Sequence, residues 1–240
     1  MNSHSFLASD GQQNNCYQFV VNTTSEAQEH ETSDRGESAL KNSYLRSGAL
    51  KLAQQGDYTK AIALLSQLIH RHPQNAIDYN NRGLIYFQSG EAQKAWRDYN
   101  TALQLNPHLA SAYNNRANYY AARGELAAAL TDYDRAIDLN PSYVRAWINR
   151  GITLRDLGQY EEATDNFEIA LIFGQLEGHI WAERGRTYHL WGDWNCAIAD
   201  YRRALTQLPI FNRKDVLGCR LRLQLENWLD ELLFPQRSDW

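Results

Sequence analysis

The stretch "YNNRGLIYFQSG" at 79–90 returns 34 residues later as "YNNRANYYAARG" at 113–124. A chain that rewrites one line at a fixed interval is built from stacked copies of a single supersecondary unit, so the interval decides the fold. Prolines mark the interval independently: Pro73, Pro107 and Pro141 stand 34 residues apart, and Pro209 falls two further periods on. In that frame the sequence divides into five units, 42–75, 76–109, 110–143, 144–177 and 178–211, with no insertions.

Numbering each unit from 1, position 4 is Leu45, Tyr79, Tyr113, Trp147 and Trp181, position 8 is Ala49, Gly83, Ala117, Gly151 and Gly185, and position 11 is Leu52, Tyr86, Tyr120, Leu154 and Tyr188. Spacings of four and three put these residues on one stripe of a helix, expected to face the core. Position 15 is glycine in every unit, from Gly56 to Gly192, as a left-handed residue ending that helix requires. A second stripe follows: alanine at 20, a large residue at 24 (Leu65, Tyr99, Tyr133, Phe167, Tyr201) and, except for Leu68, alanine at 27. Small residues allow close approach of helices, and the proline at 32 stops the second one.

These residues resemble the tetratricopeptide repeat over 42–211, with departures at Leu68 and at Gln175, which replaces the proline of the fourth unit. The resemblance implies an all-α fold, a right-handed superhelical solenoid of antiparallel helix pairs. A stack leaves apolar ends that need covering. The segment 215–234, with Leu217, Leu221, Leu225, Trp228 and Leu232 at helical spacing, is expected to be a capping helix, with a dimerisation helix as the other reading; 212–240 thus forms cap and tail. Residues 1–38 are polar and aperiodic and are read as a disordered arm. Its one apolar cluster, "CYQFVV" at 16–21, is open between a chance cluster and a docking or self-masking motif.

Position 7 is arginine in four units, flanking the first stripe, and position 23 flanks the second. The occupants run in step, Arg82 with Asp98, Arg116 with Asp132, Arg150 with Asn166 and Arg184 with Asp200, while the first unit has neither, carrying Gly48 and Leu64. A recurrent, partly buried ion pair tying helices together is expected, in preference to arginines that hold an acidic ligand.

Positions 2, 5, 9, 12 and 13 lie away from the core stripe, and in the family resembled this face lines a concave groove that holds a peptide or a partner helix. Candidate groove residues are Asn80, Asn81, Leu84, Phe87, Asn114, Asn115, Asn118, Arg145, Asn149, Ile152, Arg155, Arg186 and His189. Amides give and accept backbone hydrogen bonds, and arginines toward one end suit carboxylates, which implies a protein segment acidic at one end. The chaperone-binding members of the family clamp a C-terminal carboxylate with Lys, Asn, Asn, Lys and Arg. Asn80, Leu84, Asn115, Arg145 and Asn149 match that set only in part, so a chaperone C-terminus is not indicated.

Composition narrows the rest. A net charge of −4 and a pI near 6.0 show no footprint for nucleic acid, although a helical-repeat RNA binder is kept as the alternative function. No apolar run approaches the roughly 18–20 residues of a membrane span, and no secretory signal is visible at the start. Three scattered cysteines, Cys16, Cys196 and Cys219, fit reduced thiols in a cytoplasmic protein. No phosphate loop, nucleophile elbow or zinc spacing occurs, the two histidines of "HRH" at 70–72 lack a third ligand, and neither cofactor nor metal nor catalysis is expected. Oligomeric state is not legible.

Overall fold

The computed structural model describes residues 33–208 and 216–234. Every regular element among them is helical: α1 Ser33–Gln54, α2 Tyr58–Arg71, α3 Ala76–Gln88, α4 Ala92–Leu105, α5 Ala110–Ala122, α6 Leu126–Leu139, α7 Val144–Asp156, α8 Tyr160–Ile172, α9 Glu177–Trp191, α10 Trp194–Gln207 and α11 Val216–Leu233. Each odd helix from α1 to α9 packs against the even helix that follows, each even helix packs on the next odd one, and successive odd helices also touch. The result is a stack of antiparallel pairs. The cluster at 16–21 and Pro209 lie outside the described residues.

The turns inside the pairs follow from position 15. Gly56, Gly90, Gly124, Gly158 and Gly192 have φ between +75° and +89°, a region where a side chain is strained. A Cβ there would meet nothing within 4 Å, so it is the backbone conformation, not space, that selects glycine. In the fourth unit, where proline is missing, α8 stops at Ile172 and Gly174 takes φ +62°.

The core runs through the even helices. Ala61, Ala95, Ala129, Ala163 and Ala197 and the large residues Leu65, Tyr99, Tyr133, Phe167 and Tyr201 are buried at every level. Position 8 lets them in: a Cβ on Gly151 would lie 2.9 Å from the Phe167 ring. The odd helices depart from expectation at positions 4 and 11. Of those residues only Leu154 is buried, and Tyr79, Tyr86, Tyr113, Tyr120, Trp181 and Tyr188 are half-buried. In the second, third and fifth units an arginine stands between the two rings, three residues after one and four before the other. Its guanidinium lies against both, Arg82 Cζ being 5.7 Å from the centres of both Tyr79 and Tyr86.

The ends also differ from expectation in detail. α1 begins at Ser33, inside the segment expected to be an arm, and Leu40 and Tyr44 further along it are exposed. At the other end α11 lies over α10. Leu225 is fully buried, and Leu221, Trp228, Leu229 and Leu232 pack with it against Ala197, Tyr201, Ala204 and Leu208. Arg222 donates to the carbonyls of Leu205 and Leu208 at 2.6 and 3.0 Å, satisfying acceptors that the end of α10 leaves open.

Candidate functional site

The arginines at position 7 each reach in two directions along the stack. Arg82 donates to both carboxylate oxygens of Asp98, from Nε at 2.7 Å and Nη2 at 2.8 Å, and from Nη1 to Ser66 at 3.1 Å. Arg116 repeats this with Asp132 at 2.7 and 2.9 Å and Asn100 at 2.7 Å. Arg184 does so with Asp200 at 2.7 and 3.1 Å and Glu168 at 3.1 Å. Arg150 swaps strengths, its Nε going back to Asp134 at 2.6 Å and its Nη1 forward to Asn166 at 3.0 Å. One bond lies within the unit, sixteen residues on; the other crosses to the preceding unit, sixteen residues back. Each guanidinium thus clamps three helices.

The groove residues divide into two groups. Asn80, Asn114, Asn115 and Asn118 are buried, Asn114 and Asn118 to 2 % and 3 % exposure, against the expectation that they line open space. Successive odd helices close over this face. Asn115 donates to Asn80 at 2.9 Å and Asn149 to Asn114 at 3.2 Å, an amide ladder linking α3, α5 and α7, while Tyr133 donates to Asn118 at 2.6 Å. Their amides are spent on the fold.

Asn81, Leu84, Phe87, Arg145, Asn149, Ile152, Arg155, Arg186 and His189 are half-buried. Phe87 leans on the cluster around Tyr99, and Ile152 on that around Phe167. Arg155 donates to Glu183 of α9 at 2.7 Å. Arg186 lies over Trp228 of α11, 4.5 Å from its ring centre, and His189 shares a hydrogen bond with the Tyr201 hydroxyl at 3.1 Å. Burial, with the charge of Arg186 beside it, holds the His189 imidazole below its ordinary value, and burial raises the Tyr201 hydroxyl. The cation-rich end of the groove is therefore knitted to the C-terminal helix.

Sequence reasoning missed two joints. Arg46 of α1 holds Asp78 of α3 through Nε at 2.5 Å and Nη2 at 3.0 Å, a pair that occurs at one boundary only and leaves no periodic trace. The amide ladder does leave one, since Asn80 to Asn115 and Asn114 to Asn149 are both 35 residues. Asn42 contacts the His72 ring at 2.9 Å, and among the described residues no group of three or more His, Cys, Asp or Glu side chains is arranged for a metal. No helix among them is long and apolar enough to cross a membrane.

Known proteins match this geometry. Models of the tetratricopeptide repeat match residues 49–117 and 144–171, and a TPR-repeat model matches 117–154, so together they run over 49–171. A thermophilic TPR protein of Thermus thermophilus superposes with a TM-score of 0.67 at 21 % identity, covering 78 % of this chain and 98 % of that one. PilW, a type IV pilus biogenesis factor, gives 0.65 at 21 % over 82 % and 95 %. MamA gives 0.56 at 22 % over 66 % and 92 %. No curated protein matches in sequence. With the 34-residue frame, the glycine turns and the stacked pairs, these matches make the chain a member of the tetratricopeptide repeat family, an all-α right-handed solenoid.

Proposed function

We propose that this protein is an interaction scaffold whose odd helices α3, α5, α7 and α9 receive an extended segment or a helix of a protein partner, and that it serves assembly of a larger complex rather than catalysis. One observation supports the reading: successive odd helices touch directly, and half-buried Asn81, Leu84 and Phe87 of α3 with Arg145 and Ile152 of α7 offer apolar and polar groups that we take to line one face. The arginines of this face, Arg145, Arg155 and Arg186, lie on α7 and α9, and the acidic end of the segment is assigned to that end. Cys196 and Cys219 are in no disulfide among the described residues, which fits a reducing compartment, and the cytoplasm is our reading of where it works.

The test is affinity purification from the native cell with the wild-type chain and with a Leu84→Asp, Arg145→Glu variant whose melting temperature is checked first. Partners specific to the wild type are expected to be lost from the variant. Retention of every one of them overturns the groove as the binding face.

A further inference from the structure

The residue just ahead of the second helix is a carboxylate in four units: Asp57, Glu91, Glu125 and Asp193. In the first three a cation of the chain itself is paired with it, Lys60 with Asp57 at 2.6 Å, Lys94 with Glu91, and Arg123 with Glu125 at 2.7 Å. Two of these cations also lie on an aromatic ring, Lys94 Nζ 5.2 Å from the centre of Tyr86 and Arg123 Cζ 5.6 Å from that of Tyr119. The recurring arrangement is a cation held between a ring and a carboxylate.

The fifth turn keeps the ring and the carboxylate and lacks the cation. Trp191 stands at the unit position of Arg123, and Cys196 at that of Lys60 and Lys94. Among the described residues no Lys or Arg pairs with Asp193, whose Oδ1 accepts from the Cys196 amide at 3.1 Å. The rings are assembled there all the same. Trp191 stacks on Tyr188 at 6.4 Å and 6°, and across the unit boundary on Tyr160 at 6.2 Å and 29°. On its inner side the stack already carries a guanidinium, Arg184 Cζ being 5.6 Å from Tyr188 and 4.7 Å from Trp181. Its outer end is open: Trp191 is 49 % and Trp194 62 % exposed, and Leu157 and Leu190 are exposed on the same two turns.

We infer that this edge of the fourth and fifth units docks a cationic segment of a protein partner, with an Arg or Lys side chain taking the place beside ring and carboxylate, here Trp191 and Asp193, that the chain's own cations take in the second and third units. Charge selects the occupant. Exposed Asp156, Glu161 and Glu162 stand at the α7–α8 turn and exposed Asp193 at the α9–α10 turn, so an arginine gains ring and carboxylate together where an acidic segment is repelled. The protein's own first 34 residues contain no Lys or Arg and do not supply it. This surface is separate from the groove of the odd helices and takes the opposite charge.

The test uses the full chain with its tryptophan indole N–H resonances resolved by NMR, titrated to the order of millimolar with a capped peptide of alternating Ser and Arg, and in parallel with the same peptide carrying neutral citrulline. The Trp191 and Trp194 resonances are expected to shift with the arginine peptide alone. Asp193→Asn, which keeps a good helix cap, should weaken binding about fivefold or more. Cys196→Lys supplies the missing cation from within and should abolish it. Both variants leave partner capture by the groove unchanged, so the two readings fail separately. Absence of shifts, equal shifts with citrulline, or unaltered affinity in both variants overturns the inference. So do resonances that move with protein concentration and not with peptide, which assign the patch to a second copy of the chain.

Discussion

At the scale of single residues, Arg116 shows what the 34-residue frame preserves. Its fork meets Asp132 twice and Asn100 once, with side chains only 19 % and 8 % exposed for the arginine and the aspartate. Removing the carboxylate strands a half-desolvated cation, so Asp132→Ala is expected to cost about 2–3 kcal/mol, read as a fall in denaturation midpoint. An unchanged midpoint would mean that water replaces the aspartate. Arg116→Lys keeps the charge and loses the fork, and should fall between wild type and Asp132→Ala. The forward bond of each clamp was legible because residues 7 and 23 vary together within the one chain. The backward bond to Ser66, Asn100, Asp134 or Glu168 was not, since four chemistries at one position leave no pattern. Asn114 and Asn118 were misplaced for a geometric reason. A helical wheel treats one helix at a time, and burial of these amides arises only when α3, α5 and α7 come side by side.

At the scale of elements, close approach of the two helices in a pair depends on position 8. In Gly151→Ala the added methyl meets the Phe167 ring at 2.9 Å and the Ala163 carbonyl at 3.2 Å, with the ring itself fully buried. Overpacking of about 1–3 kcal/mol outweighs the roughly 1 kcal/mol that alanine gains over glycine in a helix, so a lower melting temperature is expected. A higher one would show that α7 and α8 part at little cost, as the units carrying Ala49 and Ala117 manage. The joint of α9, α10 and α11 adds a dependence on pH. His189 faces Arg186 on its own helix, Tyr201 on α10 and Glu231 on α11, and burial with Arg186 lowers its affinity for a proton while Glu231 works the other way. The unfolded chain thus takes up a proton that the folded one resists. Stability from this group is complete above about pH 6.5 and is lost as pH falls below it. Melting temperatures from about pH 7.5 to about pH 5.5 should drop more steeply for the wild type than for His189→Gln, and parallel slopes would remove His189 from the account. Helix ends inside the repeats were legible because glycine and proline punctuate them. The start of α1 was not, because Ser33 to Leu40 carries neither an apolar stripe nor a stop.

At the scale of the whole molecule, a stack whose pairs touch only their neighbours distributes stability along its length as a sum of units and junctions. Among the described residues the helices of the second and third units make their contacts with adjacent pairs, and no set of contacts joins α3–α6 to α11. Damage at one end should therefore stay there. Leu225 is the fully buried anchor of α11, and Leu225→Asp places a carboxylate among Ala197, Tyr201, Ala204 and Leu208 without a partner. The cap should undock, taking with it the stacking of Trp228 on Tyr201 and the cover over Arg186. Amide hydrogen exchange is expected to quicken strongly in α10 and α9, less in α8, and to keep wild-type protection in α3 to α6, where the clamps of Arg82 and Arg116 are untouched. Protection lost evenly from α1 to α10 would instead mean that the array unfolds as one cooperative body. The charged clamps that cross every boundary from Ser66 to Arg184 would then be coupling the units more strongly than nearest-neighbour packing does.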